Sequence, residues 1–271
     1  MARRHYENFP VASLFLPKEK RPLIASIYAF ARTADDIADE GNNSPTTRLQ
    51  MLDEWERKLD LCYEGVANDP VFVALGETVA RCGIPRQLLK DLLTAFRMDV
   101  TLQRFPTFSD LLFYCKHSAN PVGRLVLYIF NDTEERHLTL SDKICTALQL
   151  VNFWQDLSVD WPKGRLYLPL EDLERFGYTE ADLRAGRTNK PFFDVLACEL
   201  ERTKTLFTAG KPLLSVAAPD LRFELRLTWL GGMSILKKVE RLSGQILHRR
   251  PVLSRGEALG ILIRAITRRG L

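Results

Sequence analysis

The sequence predicts an all-α protein in which residues 1–271 form a single domain around a central cavity. Nearly every segment carries a helix start or stop signal, and no segment alternates apolar and polar residues as a half-buried strand does. There is no internal repeat and no change in composition that would mark a linker. A cavity is expected because several predicted helices carry polar residues within the faces that should point inward.

The predicted helices follow one another closely along the chain. Pro22 opens the first helix near its first turn, and Gly41 ends it. Ser44-Pro45 starts a helix that reaches residue 63, and Asp69-Pro70 starts one that stops before Gly83. Further helices are predicted over 85–104, 107–116, 121–130, 141–162, 190–210, 219–241 and 254–268, with Ser141 and Ser254 as N-caps. Residues 167–189 should form loops with short helical turns.

Composition excludes several classes of function. The chain is 46% hydrophobic and 27% charged, which is ordinary for a soluble globular protein, and its net charge of +4 is too small to indicate nucleic-acid binding. The five cysteines and four histidines form no zinc spacing, and reduced thiols are expected. No apolar run approaches the roughly 20 residues of a membrane span, and the polar N-terminus does not resemble a signal peptide. We therefore expect a cytoplasmic protein.

The first predicted helix carries an acidic motif, RTADDIADE, at residues 32–40. Asp35 and Asp39 are four residues apart and share one face, with Arg32 and Tyr28 on the preceding turns. Like charges at this spacing destabilise a helix slightly, so a divalent cation or solvent should neutralise them. Asp36 points about 100° away and is not expected to be a ligand. A solvated acidic helix end is the alternative for this stretch taken alone.

A second row of oxygen-bearing side chains lies on the predicted helix 141–162. Asn152, Asp156 and Asp160 recur at intervals of four residues, with Gln149 one turn earlier. Lys163 and two further polar residues, Arg165 and Tyr167, follow directly beyond the helix. Mg²⁺ is usually held by one or two carboxylates together with substrate phosphates, and arginine binds phosphate bidentately. Two facing rows would therefore hold Mg²⁺ and a diphosphate, with apolar helices enclosing a hydrocarbon tail.

These motifs resemble those of the squalene/phytoene synthase family. DDIAD at 35–39 is similar to the first aspartate-rich motif of the family, and NFWQDLSVD at 152–160 to the second. GRLYLP at 164–169 matches the sequence that follows the second motif. The resemblance covers nearly the whole chain from His5 onward and implies an isoprenoid synthase-type helical bundle.

The resemblance also implies roles for individual residues. The expected Mg²⁺ ligands are Asp35, Asp39, Asn152, Asp156 and Asp160, of which the four aspartates are also expected to be catalytic, together with Tyr167. The expected substrate-binding residues are His5, Asn8, Tyr28, Arg32, Asp99, Gln149, Asn152, Lys163 and Arg165. Many members of the family have Ser at the position of Tyr6. Tyr6 could therefore pack against its neighbours as readily as it could contribute to the phosphate side of the site.

Within the family, the segments at 5–13, 119–125 and 152–156 are most similar to the hydroxysqualene synthases of the bacterial hopanoid pathway. This similarity implies presqualene diphosphate as substrate, Mg²⁺ as cofactor, and water in place of hydride from NADPH. The alternative is another head-to-head prenyl synthase, one that makes presqualene diphosphate, squalene, dehydrosqualene or phytoene from a prenyl diphosphate such as farnesyl diphosphate, because all of these share the diphosphate machinery. A non-catalytic assembly factor of the same fold is disfavoured, since both acidic motifs are complete.

The C-terminal segment concentrates positive charge. Residues 237–271 hold nine Lys or Arg and two Glu, a net charge of +7, whereas the whole chain carries only +4. We expect this segment to contact an anionic membrane peripherally, at the inner face, since basic residues near such a surface contribute about 1 kcal/mol each. An ordinary solvated basic face is the alternative. The apolar residues Leu259, Ile261, Leu262, Ile263 and Ile266 could add contact with lipid or pack into the domain as its last helix.

Overall fold

The computed structural model describes residues 16–268, and these residues form the all-α bundle that the sequence predicts. No strand occurs within them; Arg104 and Leu166 form an isolated parallel bridge. No helix in residues 16–268 is both long and apolar enough to cross a membrane. The described helices are α1 (Arg21–Asp39), α2 (Pro45–Tyr63), α3 (Pro70–Cys82), α4 (Arg86–Thr101), α5 (Phe108–Ser118), α6 (Asn120–Ile129), α7 (Glu135–Gln155), α8 (Leu157–Asp160), α9 (Leu170–Phe176), α10 (Glu180–Arg184), α11 (Lys190–Gly210), α12 (Leu213–Val216), α13 (Arg222–Arg241) and α14 (Arg255–Thr267).

Local capping explains several of the helix boundaries. Ser44 and Asp69 cap α2 and α3 by accepting backbone N–H bonds, and Gly83 ends α3 with a positive φ of 63°. Ser254 and Glu257 form the capping box that the sequence predicts at the start of α14. The segment predicted as loops with short turns contains only the short helices α9 and α10.

The predicted start of the long helix at Ser141 is wrong. Helix α7 begins at Glu135, where Glu134 provides no side-chain cap, so the sequence holds no local signal for this boundary. Ser141 instead lies buried inside α7 against α6. A Cβ atom added at Gly123 on α6 would lie 2.3 Å from Ser141 Oγ and 2.4 Å from Cys145 Sγ. The two helices therefore approach closely because position 123 lacks a side chain.

The core is divided so that the two acidic motifs lie in different apolar clusters. Helix α1 packs with α2, α3 and α4, whereas α7 packs with α6, α11 and α13, and the apolar residues of the second motif, Phe153, Trp154 and Leu157, belong to a separate cluster from those of α1. Between them lies a cavity of about 610 Å³ whose wall includes residues from α1, α4, α5, α6, α7 and α8. The predicted arrangement of helices around a cavity is thus confirmed.

Candidate active site

The cavity gathers most of the residues that the sequence singles out. Its wall includes ten predicted site residues from five separate segments: Tyr28, Arg32, Asp35, Asp39, Asp99, Gln149, Asp156, Asp160, Lys163 and Arg165. Asn152 and Tyr167 do not line it, and Asp36, which was not expected to be a ligand, does not line it either. His5 and Asn8 lie outside the described residues, as does Tyr6.

The first acidic row lies on the last two turns of α1. Arg32 Nη1 donates to Asp35 Oδ2 at 2.7 Å, and Arg32 Nη2 lies 2.5 Å from Asp36 Oδ1 and 2.7 Å from Glu40 Oε1. Burial raises the pKa of Asp35 to about 6, and the charges of Asp39, Asp36 and Glu40 raise it while Arg32 opposes them. One arginine thus faces a surplus of carboxylates, and the site favours additional positive charge.

The second acidic row is not the continuous helix that the sequence predicts. Helix α7 ends at Gln155, and Asp156 adopts φ −100° and ψ 11° before the short helix α8. Val159 N–H donates to the Asp156 carbonyl three residues back, as in a tighter 3₁₀ turn. This change of direction keeps Asp156 and Asp160 at the cavity wall, whereas Asn152, on α7, does not line the cavity.

Arg165 joins the two acidic motifs. It follows the second row in the chain, and its Nη2 donates to Asp39 Oδ1 in the first row at 2.5 Å, across 126 positions of sequence. The neighbouring carboxylate raises the pKa of Arg165, so this guanidinium stays charged. The contact places both motifs at one end of the cavity.

Arg250 is a site residue that sequence reasoning missed. It lies between α13 and α14, lines the cavity and donates through Nε and Nη2 to the two carboxylate oxygens of Asp156. The adjacent Pro251 carbonyl accepts a bond from Gln155 Nε2 at 2.5 Å, which fixes this segment against the end of α7. The only sequence signal was its position in the basic C-terminal segment, which does not distinguish Arg250 from its neighbours.

A buried acid on α4 is held by a tyrosine on α5. Tyr114 OH donates to Asp99 Oδ1 at 2.8 Å, and both residues line the cavity. Burial is the main cause that raises the pKa of Asp99 to about 7; Asp39 and Asp35 raise it further, while Tyr114 and Arg165 lower it. Asp99 is therefore a carboxyl that can change protonation near neutral pH, and Tyr114 is a second residue that sequence reasoning did not identify.

Tyr167 belongs to an aromatic layer behind the cavity wall. Its ring stacks on Phe153, with centroids 3.8 Å apart and planes 7° apart, and on Phe105 at 5.6 Å. Burial raises its pKa, as does the charge of Asp99, while Arg165 lowers it. The position supports the wall around Asp99 and Tyr114, and direct contact of Tyr167 with a substrate stays a prediction.

The arrangement can hold a cation and an anion together. Only oxygen atoms serve as metal donors at the two rows, which is the donor set that hard divalent cations prefer. Among the described residues, the carboxylates of the cavity do not converge as a cluster of three ligand atoms within 4.8 Å. They lie apart around the cavity, with three arginines beside them, and this spacing suits metal ions that share their coordination with a polyanionic substrate.

Comparison with known proteins agrees with this geometry. Residues 2–257 match the squalene/phytoene synthase family. A hydroxysqualene synthase from Zymomonas mobilis is 33% identical over 264 residues, which cover 94% of this chain and 85% of that protein. A phytoene synthase from Arthrospira platensis is 29% identical over 260 residues, covering 91% of this chain and 84% of that protein.

The likeness extends to solved structures. The crystal structure of a squalene synthase from Alicyclobacillus acidocaldarius matches with a TM-score of 0.84 and 42% identity, covering 89% of this chain and 90% of that one. The region that matches the family, residues 2–257, includes both acidic motifs and the helices that surround the cavity. The chain belongs to the squalene/phytoene synthase family, whose members process prenyl diphosphates.

Proposed function

We propose that this chain is a hydroxysqualene synthase that converts presqualene diphosphate and water to hydroxysqualene and diphosphate. The observation that carries this proposal is the contact of Arg165 with Asp39, because it unites both acidic motifs at a cavity of about 610 Å³. The relative from Zymomonas mobilis, 33% identical, supports this branch of the family. We further propose that residues 1–271 act as one catalytic domain.

The residues at the cavity fit Mg²⁺. Asp35 and Asp39 would hold it from one side, and Asp156 and Asp160 from the other. Burial is the main cause of the raised pKa of Asp35, and the nearby carboxylates of Asp39, Asp36 and Glu40 raise it further, so a cation there would stabilise its ionised form. When bound, Mg²⁺ supplies the positive charge that stabilises diphosphate as a leaving group.

The cationic side chains would bind the diphosphate. Three arginines, Arg32, Arg165 and Arg250, each present a planar guanidinium at the cavity. In the structure they pair with Asp35, Asp39 and Asp156, the carboxylates that would bind the metal. Guanidinium groups bind phosphate oxygens bidentately, so the same three groups can hold the substrate in one orientation. Lys163 adds a fourth positive charge at the same wall.

The remaining wall suits a prenyl chain and a carbocation. Leu92, Ala95 and Val122 provide apolar surface that excludes water from the chain. Phe96 and Tyr28 provide aromatic rings at the wall, and an aromatic face attracts a nearby cation. These groups would protect the cation until it has rearranged.

Ser118 is our candidate for positioning the water that captures the cation. It lies one turn after Tyr114 on the cavity wall, and its buried Oγ has no hydrogen-bond partner within the described residues. A water that donates to this oxygen would direct its own lone pair into the cavity. The oxygen of that water forms the new C–O bond, and the proton released on capture passes to the departed diphosphate.

Product analysis in ¹⁸O-labelled water tests the proposal. The purified protein is incubated with Mg²⁺ and presqualene diphosphate, or with farnesyl diphosphate, in the absence of NADPH. Presqualene diphosphate should give a C30 alcohol that carries the label, and Asp156→Asn should abolish its formation. Squalene formed only with NADPH, or farnesyl diphosphate consumed without use of presqualene diphosphate, would assign the chain to another head-to-head synthase. A folded protein that consumes neither would contradict an enzymatic role.

A further inference from the structure

Helix α14 is apolar on two opposite faces. Ile261 and Ala265 are buried, at 8% and 0% exposure, and belong to the cluster that contains residues of α13. Leu259, Ile263 and Ile266 remain 57%, 51% and 63% exposed. Their spacing of four and three residues places these three side chains in one row along the helix. The docking of α14 onto the protein therefore leaves an apolar row facing outward.

Three arginines lie together beside this helix. Arg222 and Arg226 are one turn apart at the start of α13, and Arg268 directly follows α14. Burial lowers the pKa of Arg226, and the positive charges of Arg268 and Arg222 lower it further. The Nε–H of Arg226 is buried and has no acceptor within the described residues. The cluster thus concentrates positive charge near the end of α14.

We propose that the outer row of α14 and the cluster of Arg222, Arg226 and Arg268 form a docking surface for an anionic phospholipid membrane. The apolar row would enter the boundary between headgroups and acyl chains, and the arginines would bind lipid phosphates. A second copy of the same face would bring apolar side chains but no added negative charge for the arginines. A lipid surface supplies both the apolar partner and the negative charge.

Flotation with lipid vesicles tests this surface. The full-length protein is mixed with vesicles of phosphatidylcholine alone or of phosphatidylcholine with phosphatidylglycerol, over a series of salt concentrations. Ile263→Ser with Ile266→Ser removes part of the apolar row, and Arg226→Gln with Arg268→Gln removes two cations. Matched controls change the same residue classes elsewhere: Val66→Ser with Val73→Ser, and Arg81→Gln with Arg184→Gln, all at exposed positions. Circular dichroism confirms that each variant is folded.

The proposal expects binding only to the vesicles that contain phosphatidylglycerol, and weaker binding as salt rises. Each lost arginine should lower the partition constant roughly fivefold, so the arginine variant should bind about 25-fold more weakly. The apolar variant should also lose binding, while both controls retain it. No binding to either vesicle, or equal binding by the test variants and their controls, would overturn the proposal. Self-association in sedimentation velocity that only the apolar variant abolishes would instead assign the face to a second copy.

Discussion

Glu199→Gln should make the stability of the protein less sensitive to pH. Glu199 on α11 has no exposed surface, and Asp172 on α9 is 1% exposed. Arg202 donates to Glu199 Oε1 at 2.7 Å and to Asp172 Oδ2 at 2.5 Å. With Cys198, the two carboxylates bring three ligand atoms within 4.8 Å, but the guanidinium of Arg202 already binds both carboxylates. The single positive charge of Arg202 therefore faces two buried carboxyl groups. It neutralises one of them, and a bound proton neutralises the other.

The size of the effect follows from the pKa of Glu199. Burial is the main cause that raises this pKa from 4.5 to about 8; Asp172 raises it further and Arg202 opposes the shift. Between these two values the folded protein holds a proton that the unfolded chain releases. Stability contributed by the protonated group is therefore present below pH 4.5 and is lost as the pH rises through about 8. Since each pKa unit corresponds to about 1.4 kcal/mol, the full loss is on the order of 5 kcal/mol.

Urea denaturation from about pH 5 to about pH 9 measures this loss directly. Gln keeps the shape of the protonated acid and carries no charge at any of these pH values. The variant should therefore gain stability over the wild type as the pH rises, by a few kcal/mol in total. Glu201→Gln is the matched control, because Glu201 lies on the same helix, is exposed and pairs with Lys204 at 3.6 Å. Parallel pH profiles for the wild type and Glu199→Gln would refute a bound proton at this site.

Three further changes address the site and its scaffold. Asp35→Asn should lower turnover of presqualene diphosphate by orders of magnitude without loss of helicity. Asp36→Asn is the control and should have a much smaller effect, because Asp36 does not line the cavity. Near-normal turnover in a folded Asp35→Asn variant would contradict the metal-site assignment. Ser118→Ala should shift the products from the C30 alcohol toward hydrocarbons formed by proton loss, with the rate of diphosphate release maintained; an unchanged product ratio by mass spectrometry would exclude a water-positioning role. Gly123→Ala should lower the free energy of unfolding by about 1–3 kcal/mol through overpacking. The control is Gly231→Ala, which should have no such effect because nothing lies within 4 Å of the added Cβ. Equal melting temperatures of the two variants would contradict close packing at position 123.

The first acidic row was predictable because its determinants are local. Apolar residues at helical spacing define the buried face of α1, and Gly41 follows its end. Asp35 and Asp39 then share a face by helix geometry alone. The structure places both at the cavity wall and Asp36 off it, as these local rules predict.

The second row depends on partners that are distant in sequence. Asp156 pairs with Arg250 across 94 positions, and Gln155 bonds the Pro251 carbonyl across 96. The chain turns between these two partners at the end of α7, and no local pattern at residues 152–160 indicates where α7 stops. The bond between Tyr114 and Asp99 likewise depends on how α4 and α5 pack. Sequence periodicity therefore predicted the two rows but neither Arg250 nor Tyr114.

The last helix shows a similar limit. Five apolar residues of α14 were candidates for burial, and their spacing does not decide which face docks. Helix α14 packs against α13, and Lys238 pairs with Glu257 at 2.6 Å near the start of α14. This packing buries Ile261 and leaves Ile263 exposed, so tertiary contacts rather than spacing decide which face docks.

The carboxylate–arginine pairs connect metal binding with diphosphate binding. Asp35, Asp39 and Asp156 each hold a guanidinium, from Arg32, Arg165 and Arg250 respectively. A metal ion that takes Asp39 or Asp156 removes a carboxylate from Arg165 or Arg250, and another anion can restore the charge balance there, whereas Arg32 keeps Asp36 and Glu40. A diphosphate provides that anion, because the guanidinium groups at the cavity can bind its phosphate oxygens bidentately. Each ligand therefore raises the affinity for the other, since such coupling is reciprocal. In our proposed function, the groups that ionise the substrate would come together only when the diphosphate that has to leave is already bound.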